Sequence, residues 1–198
     1  MNEYKEIRAS LQTFDILCCR HYNWFWRLIG HVAMVVRMPG DVLMVWESTQ
    51  RNKWSGKSGT QLNLMSDWIQ HFPGEVFVRR VKILDPIWQD VGYRHLDAYI
   101  ERHRGEPYPD LKSKSGLWYM AKQVLDIGGK IVENSPDRVV RDCSDRIAHT
   151  LQYCRVLQPT LNPSEQEPDN FWSSKPLHTP VDKYRESGVL ILGEEQIK

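Results

Sequence analysis

The chain has 198 residues, of which 41% are hydrophobic and 26% are charged, so it is long enough for one domain with its own core. Its 26 Lys and Arg residues nearly balance its 25 Asp and Glu residues, and no basic cluster stands out, which argues against a nucleic-acid binder. The 8 tryptophans predict that some aromatic rings line a core, a groove or an interface.

The chain shows no sign of secretion or of membrane insertion. The N-terminal residues MNEYKEIRAS are charged, unlike a signal peptide, and no window approaches the roughly 20 apolar residues that span a bilayer. The cysteines, two of them adjacent, are not spaced like the disulfide framework of a small secreted protein. The sequence therefore predicts a soluble intracellular protein, cytoplasmic by default.

The first half of the chain is predicted to be rich in strands. Apolar runs and alternating patterns place these strands at 14–19, 31–36, 42–48 and 76–84. The remaining segments of this half are a short helix or arm at 3–12, an aromatic stretch at 21–30, a turn at 38–41, a surface loop at 50–61 and a helix at 64–72.

The second half is predicted to be mainly helical. Its elements are helices at 92–105 and 116–129, a third helix that ends at Cys154, a proline-rich loop at 158–170 and a closing strand at 189–192. Strands, then helices, then a last strand indicate a single α+β domain.

A histidine opens the first strand of the hairpin and a glutamate closes the second. A four-residue loop at 38–41 puts His31 opposite Ser48, with Glu47 on the other face, whereas a loop of three or five residues puts His31 opposite Glu47. A carboxylate bonded to one ring nitrogen fixes the tautomer and leaves the other nitrogen available as a base. The alternative is a structural histidine at a strand start, and periodicity leaves both interpretations open.

Cys143 lies in the segment RVVRDCSDRIAHTLQY, which also has two interpretations. If the helix begins at Ser135 and Pro136, Cys143 belongs to a buried apolar stripe and is a small hydrophobic residue. If the helix begins near Asp142, a good capping residue, Cys143 occupies the first turn. There the unpaired N–H groups and the helix dipole favour a thiolate. The spacing of the stripe fits both.

Several segments, taken in chain order, carry a family pattern. They are LQTFDIL, GHVAMVV, VLMVWEST, WIQHFPGEVFVRRV, RGEPYPD, CSDRIAHTL and LHTPVDKYRESGVLIL. Together they resemble the circularly permuted papain-like cysteine hydrolases, the YiiX-like branch of the NlpC-type superfamily, which is related to the lecithin–retinol acyltransferases. In the opening strand Phe14 replaces the glycine of the family pattern. As in that branch, the histidine precedes the cysteine along the chain.

The resemblance implies a fold and a mechanism. It implies one permuted papain-like domain over 1–198, with a core at about 11–192 and an antiparallel sheet packed against helices. It implies that Cys143 is the nucleophile, that His31 is the base and that Glu47 orients the imidazole. The Cys143 N–H and the Tyr108 hydroxyl would stabilise the oxyanion. The implied substrate is an amide or ester, either peptide-like or lipid, and no cofactor is implied.

The aromatic residues near the histidine strand have two interpretations. Trp24 and Trp26 either form the wall of an acyl or lipid groove that contacts a membrane surface, or they cap the core. Trp54, in the loop rich in Gly and Ser, is interpreted as a lid residue. A catalytically inactive protein that binds a lipid or peptide in a Trp-rich groove is the alternative function. Zinc is not expected, since Cys18, Cys19 and the nearby histidine lack the usual ligand spacing.

Overall fold

A computed structural model describes residues 4–23, 30–50, 54, 56–83, 86–108, 142–157, 171 and 189–198. Within these ranges the protein has a mixed α+β fold with a six-stranded antiparallel sheet and four α-helices. The predicted helix at 116–129 and the predicted loop at 158–170 lie outside the described residues. In the described helices, no segment is both long enough and apolar enough to cross a bilayer.

The sheet runs through nearly the whole described chain. Its strands are β1 (Ile16–His21), β2 (His31–Met38), β3 (Val42–Thr49), β4 (Gly59–Leu64), β5 (Gly74–Ile83) and β6 (Val189–Gln196). The strands are arranged in the order β4-β3-β2-β1-β5-β6, and each neighbouring pair is antiparallel. The helices are α1 (Tyr4–Ile7), α2 (Met65–His71), α3 (Pro86–His103) and α4 (Cys143–Tyr153).

Strand β4 was not predicted, and the surface loop assigned to 50–61 was wrong at its end. The strand GTQLNL starts at Gly59, and it includes the polar residues Thr60, Gln61 and Asn63, all buried. Because strand prediction depends on an apolar side, a strand whose buried residues are polar is read as a loop. The predicted start of α3, at residue 92, was also wrong, since the helix begins at Pro86. Proline has no N–H, and the N–H at the first position of a helix has no partner within the helix, so proline is well suited to this place.

The sheet separates two apolar clusters, so its central strands are buried on both faces. One cluster packs Val32 and Trp46 against Ile147 of α4, and the other packs Val35 against Trp68 of α2. This double burial explains why the segment HVAMVV is apolar at every position after its histidine instead of alternating.

The β2–β3 hairpin has a three-residue turn, Pro39–Asp41, in which Gly40 has a left-handed φ of 76°. Met34 pairs with Trp46, so continuing the register by one pair brings Glu47 level with Ala33. His31 and Glu47 therefore share a face, as an odd-length loop requires. However, they are diagonal neighbours, and the prediction that a three-residue loop sets them directly opposite each other was wrong.

Phe14 adopts a left-handed backbone conformation, with a φ of 79°, at the position where the family pattern has glycine. Its N–H donates to the carbonyl of Val35 at 3.0 Å, and its buried ring stacks on Tyr93 with centroids 5.7 Å apart. A left-handed conformation costs a residue with a Cβ about 1–2 kcal/mol. The packing of the phenyl ring outweighs that cost.

Replacing Phe14 by glycine is expected to lower the free energy of unfolding by about 2 kcal/mol. The lost phenyl packing of about 3–5 kcal/mol exceeds the relief of backbone strain. Phe14→Ala should be less stable than Phe14→Gly, which reverses the usual order of these residues, since alanine loses the ring and keeps the strain. Urea unfolding measures both. An alanine variant at least as stable as the glycine variant would show that the backbone at Phe14 is unstrained.

Candidate active site

The side chains of His31 and Glu47 meet at the end of the hairpin where β2 begins and β3 ends. Nε2 of His31 lies 2.9 Å from Oε2 of Glu47, and both residues are buried. The other carboxylate oxygen, Oε1, accepts a hydrogen bond of 2.8 Å from Nδ2 of Asn63 on β4. The carboxylate is thus held from β4 and in turn holds the imidazole on β2.

Asn63 was missed in the sequence. Its only signal is the alternation of polar and apolar residues in GTQLNL, which becomes informative once that segment is recognised as a strand.

The nucleophile candidate occupies the first position of α4, as the second interpretation of its segment predicts. Asp142 is the N-cap: its backbone is extended, with φ −74° and ψ −169°, and Oδ1 accepts hydrogen bonds of 2.9 Å from the Asp145 N–H and the Ser144 hydroxyl. Cys143 follows it and is buried. The N–H groups of a first helical turn have no partner within the helix, so the Cys143 N–H can act as a donor to an anion.

The side chain of Cys143 interacts with the imidazole of His31 and, like Glu47, raises its pKa. Because Nε2 is engaged by Glu47, Nδ1 is the ring nitrogen left for the thiol. Burial by itself lowers the pKa of His31, but the hydrogen bonds to Cys143 and Glu47, together with the negative charges of those groups, outweigh it and raise the pKa from 6.5 to about 10. The imidazole is therefore protonated at neutral pH.

The capping carboxyl group next to Cys143 has an unusual acidity. Burial, with repulsion from Asp145, raises the pKa of Asp142 from 3.8 to about 7, even though the hydrogen bonds from Asp145 and Ser144 oppose the shift. Between pH 3.8 and about 7, Asp142 therefore keeps a proton in the folded protein that it releases in the unfolded chain. As a consequence, the contribution of Asp142 to the free energy of unfolding falls as the pH rises from 3.8 to about 7.

Asp142→Asn is expected to remove this pH dependence while keeping the helix cap. Asparagine caps helices about as well as aspartate, because its carbonyl oxygen accepts the same hydrogen bonds. The stability of the variant relative to the wild type should therefore increase between about pH 4 and about pH 7. Urea unfolding at several pH values tests this, and a constant difference would contradict it. Asp142→Ala, the control, should lose about 1 kcal/mol of capping energy as well.

Two further rings lie near the His31 imidazole. The Phe72 ring has its centroid 6.1 Å from that of His31 and 4.9 Å from that of His21, at the end of β1. Burial, with the charge of His31, lowers the pKa of His21 to about 4, so His21 is neutral at neutral pH. In the sequence, His21 was considered only as a zinc ligand together with Cys18 and Cys19. Its place near His31 follows from the pairing of β1 with β2.

The remaining predicted site residues have mixed placements. Tyr108 is half-buried, in the segment that follows α3. Trp54 is also half-buried and stacks on His71 of α2, with centroids 5.3 Å apart, so its ring is packed against the second apolar cluster. Its role as a lid residue stays a prediction. Trp24 and Trp26 lie outside the described residues.

The adjacent cysteines face opposite sides of the sheet. The Cys18 thiol donates to the carbonyl of Phe171 at 3.3 Å and belongs to the first cluster, whereas Cys19 belongs to the second. In the described part of the chain, no group of three or more His, Cys, Asp or Glu side chains could hold a metal ion.

The arrangement has the parts that nucleophilic acyl transfer requires. A thiol at a helix start raises the pKa of an imidazole, a carboxylate fixes one nitrogen of that imidazole, and the amide side chain of Asn63 fixes the carboxylate. Such a site is defined by the geometry of its residues and not by their order along the chain. No protein-family model matches the chain, and a search of curated proteins also finds no match.

Proposed function

We propose that the protein is a cysteine-dependent hydrolase or acyltransferase that acts on an amide or ester through Cys143, His31 and Glu47. The observation that carries the proposal is an imidazole fixed by a hydrogen bond to Glu47, which is itself held by Asn63, beside a thiol at the start of α4 that raises the pKa of the same imidazole. A structural histidine needs one partner, whereas this one interacts with a carboxylate and also with a potential nucleophile.

The proposed reaction begins with attack of the Cys143 thiolate on the acyl carbonyl carbon, which forms a tetrahedral intermediate. The Cys143 N–H, at the helix start, and the Tyr108 hydroxyl stabilise the oxyanion. As the intermediate collapses, the imidazolium of His31 gives its proton to the leaving amine or alcohol, and a thioester remains on Cys143. His31, now neutral, takes a proton from water or from another acceptor, which attacks the thioester. The C–S bond then breaks, the acyl product leaves as an acid or as the acylated acceptor, and the Cys143 thiolate and the His31 imidazolium are restored.

The proposed fold is papain-like with a circularly permuted chain order. Two features support it. The histidine strand, β2, precedes the helix that begins with Cys143, and that helix packs against β2 and β3. The described sheet is antiparallel throughout, as the resemblance to the NlpC-type superfamily implies.

Acyl-enzyme trapping tests the proposed activity and needs no identified substrate. The protein would be incubated with p-nitrophenyl esters of increasing acyl length and with peptide p-nitroanilides, and its intact mass measured after acid quenching. We expect a burst of p-nitrophenol and a mass increase of one acyl group, mapped to Cys143 and absent from Cys143→Ala. The preference for long or short acyl chains, or for peptides, then separates lipid from peptide-like substrates.

Absence of an adduct on Cys143 with every ester and anilide would overturn the proposed activity. That result would favour the alternative of a catalytically inactive protein that binds a lipid or peptide on the same fold.

A further inference from the structure

A fully buried cation lies one helical turn beyond Cys143. Arg146 is 0% exposed; its guanidinium donates to the hydroxyl of Tyr99 on α3 at 3.0 Å and to the carboxylate of Glu106. Taking a guanidinium out of water costs several kcal/mol unless it is paired with good geometry. Arg146 therefore stabilises only those positions of α4 that keep both contacts.

Glu106 is fixed from its other side as well. Its Oε1 lies 2.7 Å from Nδ1 of His103, the last residue of α3. Burial alone would raise the pKa of Glu106, but the hydrogen bond from His103 and the charge of Arg146 outweigh it and lower the pKa. Glu106 is thus an anion at neutral pH, as its pairing with Arg146 requires.

The segment that carries Glu106 is bound to β4 by its backbone. The Thr60 N–H donates to the carbonyl of Glu106 at 2.8 Å, and the Gly105 N–H donates to the carbonyl of Thr60 at 2.8 Å. Gly59 permits this approach: its φ is +96°, and a Cβ there would collide with the carbonyl of Glu106. The carboxylate that receives Arg146 is therefore fixed relative to the sheet.

These contacts close a circuit around the candidate site. Strand β4 also carries Asn63, which holds Glu47. One path leads from the thiol through the imidazole and Glu47 to β4. The other path leads from β4 through Glu106 and Arg146 to α4, and so back to the thiol.

The contacts that hold the middle and the end of α4 against the sheet are mainly apolar. Ile147 and Leu151 pack in the first apolar cluster, and Nε1 of Trp46 donates to the Thr150 hydroxyl at 3.1 Å. These contacts fix the middle and the end of the helix. Apolar packing is not directional, so it tolerates small rotations and shifts of the first turn better than a hydrogen-bonded ion pair does.

We propose that the ion pair between Arg146 and Glu106 positions the nucleophile: it sets the rotation and height of the first turn of α4, so that the Cys143 thiol stays within hydrogen-bond reach of His31. This inference rests on the proposed function. Arg146 acts through its helix and not on the substrate, so it is a positioning residue. A displacement of the order of 1 Å at a reacting group can cost about 100-fold in rate.

The test is the pH dependence of the alkylation of Cys143. Arg146→Met keeps an unbranched apolar stem and removes the charge, and the double variant Arg146→Met/Glu106→Gln also avoids leaving the carboxylate unpaired. Modification by iodoacetamide would be mapped by mass spectrometry between pH 5 and 9. We expect both variants to react about 10-fold or more slowly below pH 7 and to approach the wild-type rate near pH 9, where an unassisted thiol ionises. With an ester substrate, kcat should fall much more than KM rises.

A matched control separates positioning from general loss of stability. Arg80 on β5 also forms an ion pair with a buried carboxylate, at 3.0 Å from Oδ2 of Asp15. Arg80→Met should lower the free energy of unfolding but leave the alkylation profile of Cys143 unchanged. Arg146→Lys, which keeps a charge and can keep one of the two contacts, should recover part of the reactivity at low pH.

The outcomes distinguish this inference from the proposed function. If the wild type reacts well below pH 7 and the folded Arg146 variants share its profile, the ion pair is structural only and the positioning role is overturned. If Arg146→Met does not fold, the double variant gives the same readout without a buried unpaired charge. If the wild-type Cys143 itself lacks reactivity at low pH, the proposed function fails, and the positioning role fails with it.

Discussion

Cys143→Ala is expected to abolish turnover, with a loss of about 10,000-fold or more, and to leave the fold intact. The sulfur atom of Cys143 forms the bond to the acyl carbon, and no other group in the proposed mechanism can replace it. The side chain is small, and its loss from the start of α4 should cost no more than about 1 kcal/mol of stability. Steady-state rates with the ester that acylates best, together with circular dichroism and urea unfolding, measure both effects.

Cys154→Ala is the matched control for this prediction. Cys154 lies at the other end of α4 and is also buried, and burial, with the charge of Asp97, raises its pKa to about 12. Its thiol is therefore inert at neutral pH, and its removal should reduce stability without reducing turnover. Turnover that persists in Cys143→Ala, or that disappears in Cys154→Ala while the protein stays folded, would contradict the assignment of the nucleophile.

His31→Asn is expected to have the next largest effect, with turnover reduced about 1,000-fold. The variant loses the proton acceptor and donor of both half-reactions and the cation that favours the thiolate. Glu47→Gln should have a smaller effect, of about 10- to 100-fold, because an amide can still orient the imidazole but cannot stabilise its charge. Rates measured across pH 5 to 10 compare the two variants. Equal activity of His31→Asn and the wild type would exclude His31 as the base.

His31→Asn should also change the way in which the free energy of unfolding depends on pH. The pKa of His31 rises from 6.5 to about 10 on folding, so its contribution to the free energy of unfolding is fully present below pH 6.5 and is lost as the pH rises through about 10. The stability difference between the wild type and His31→Asn should therefore shrink over this window, by at most about 1.4 kcal/mol per pH unit. A difference that is independent of pH would mean that His31 does not gain a proton on folding.

The sequence predicts the central part of the fold well, because there the physical signal is local. The hairpin strands follow from two apolar runs, and α2 follows from apolar residues at helical spacing. Strand β4 escaped prediction because several of its buried residues are polar, and one of them, Asn63, hydrogen-bonds to Glu47 within the site. Local patterns identify elements that bury apolar surface, and they miss elements that bury polar groups.

The sequence predicts that His31 and Glu47 pair only if the turn between their strands has a suitable length. Whether the two side chains share a face depends on whether the loop has an odd or an even number of residues. That number depends on the left-handed backbone at Gly40 and Asp41. Glycine at the turn was visible, but the second left-handed residue was not, since aspartate also adopts ordinary conformations.

The start of α4 and the burial of Arg146 also could not be predicted from local sequence patterns. Asp142 is a good capping residue, but the apolar stripe through Cys143 and Ile147 fits an earlier start equally well, so spacing could not choose. Arg146 falls outside that stripe and would be taken for a solvated residue. Its burial depends on Glu106 and Tyr99, which are distant in the chain, and no periodicity within the helix reports on them.

Alkylation of the native protein by iodoacetamide from pH 5 to 9, with each of the four cysteines mapped by mass spectrometry, shows whether Cys143 is an activated nucleophile. The proposed pair of thiolate and imidazolium predicts that Cys143 alone reacts well below pH 7 and that His31→Asn removes this reactivity, while Cys18, Cys19 and Cys154 react only on unfolding. If Cys143 also stays inert until the protein unfolds, it is a core residue, and the contact with His31 has no catalytic role.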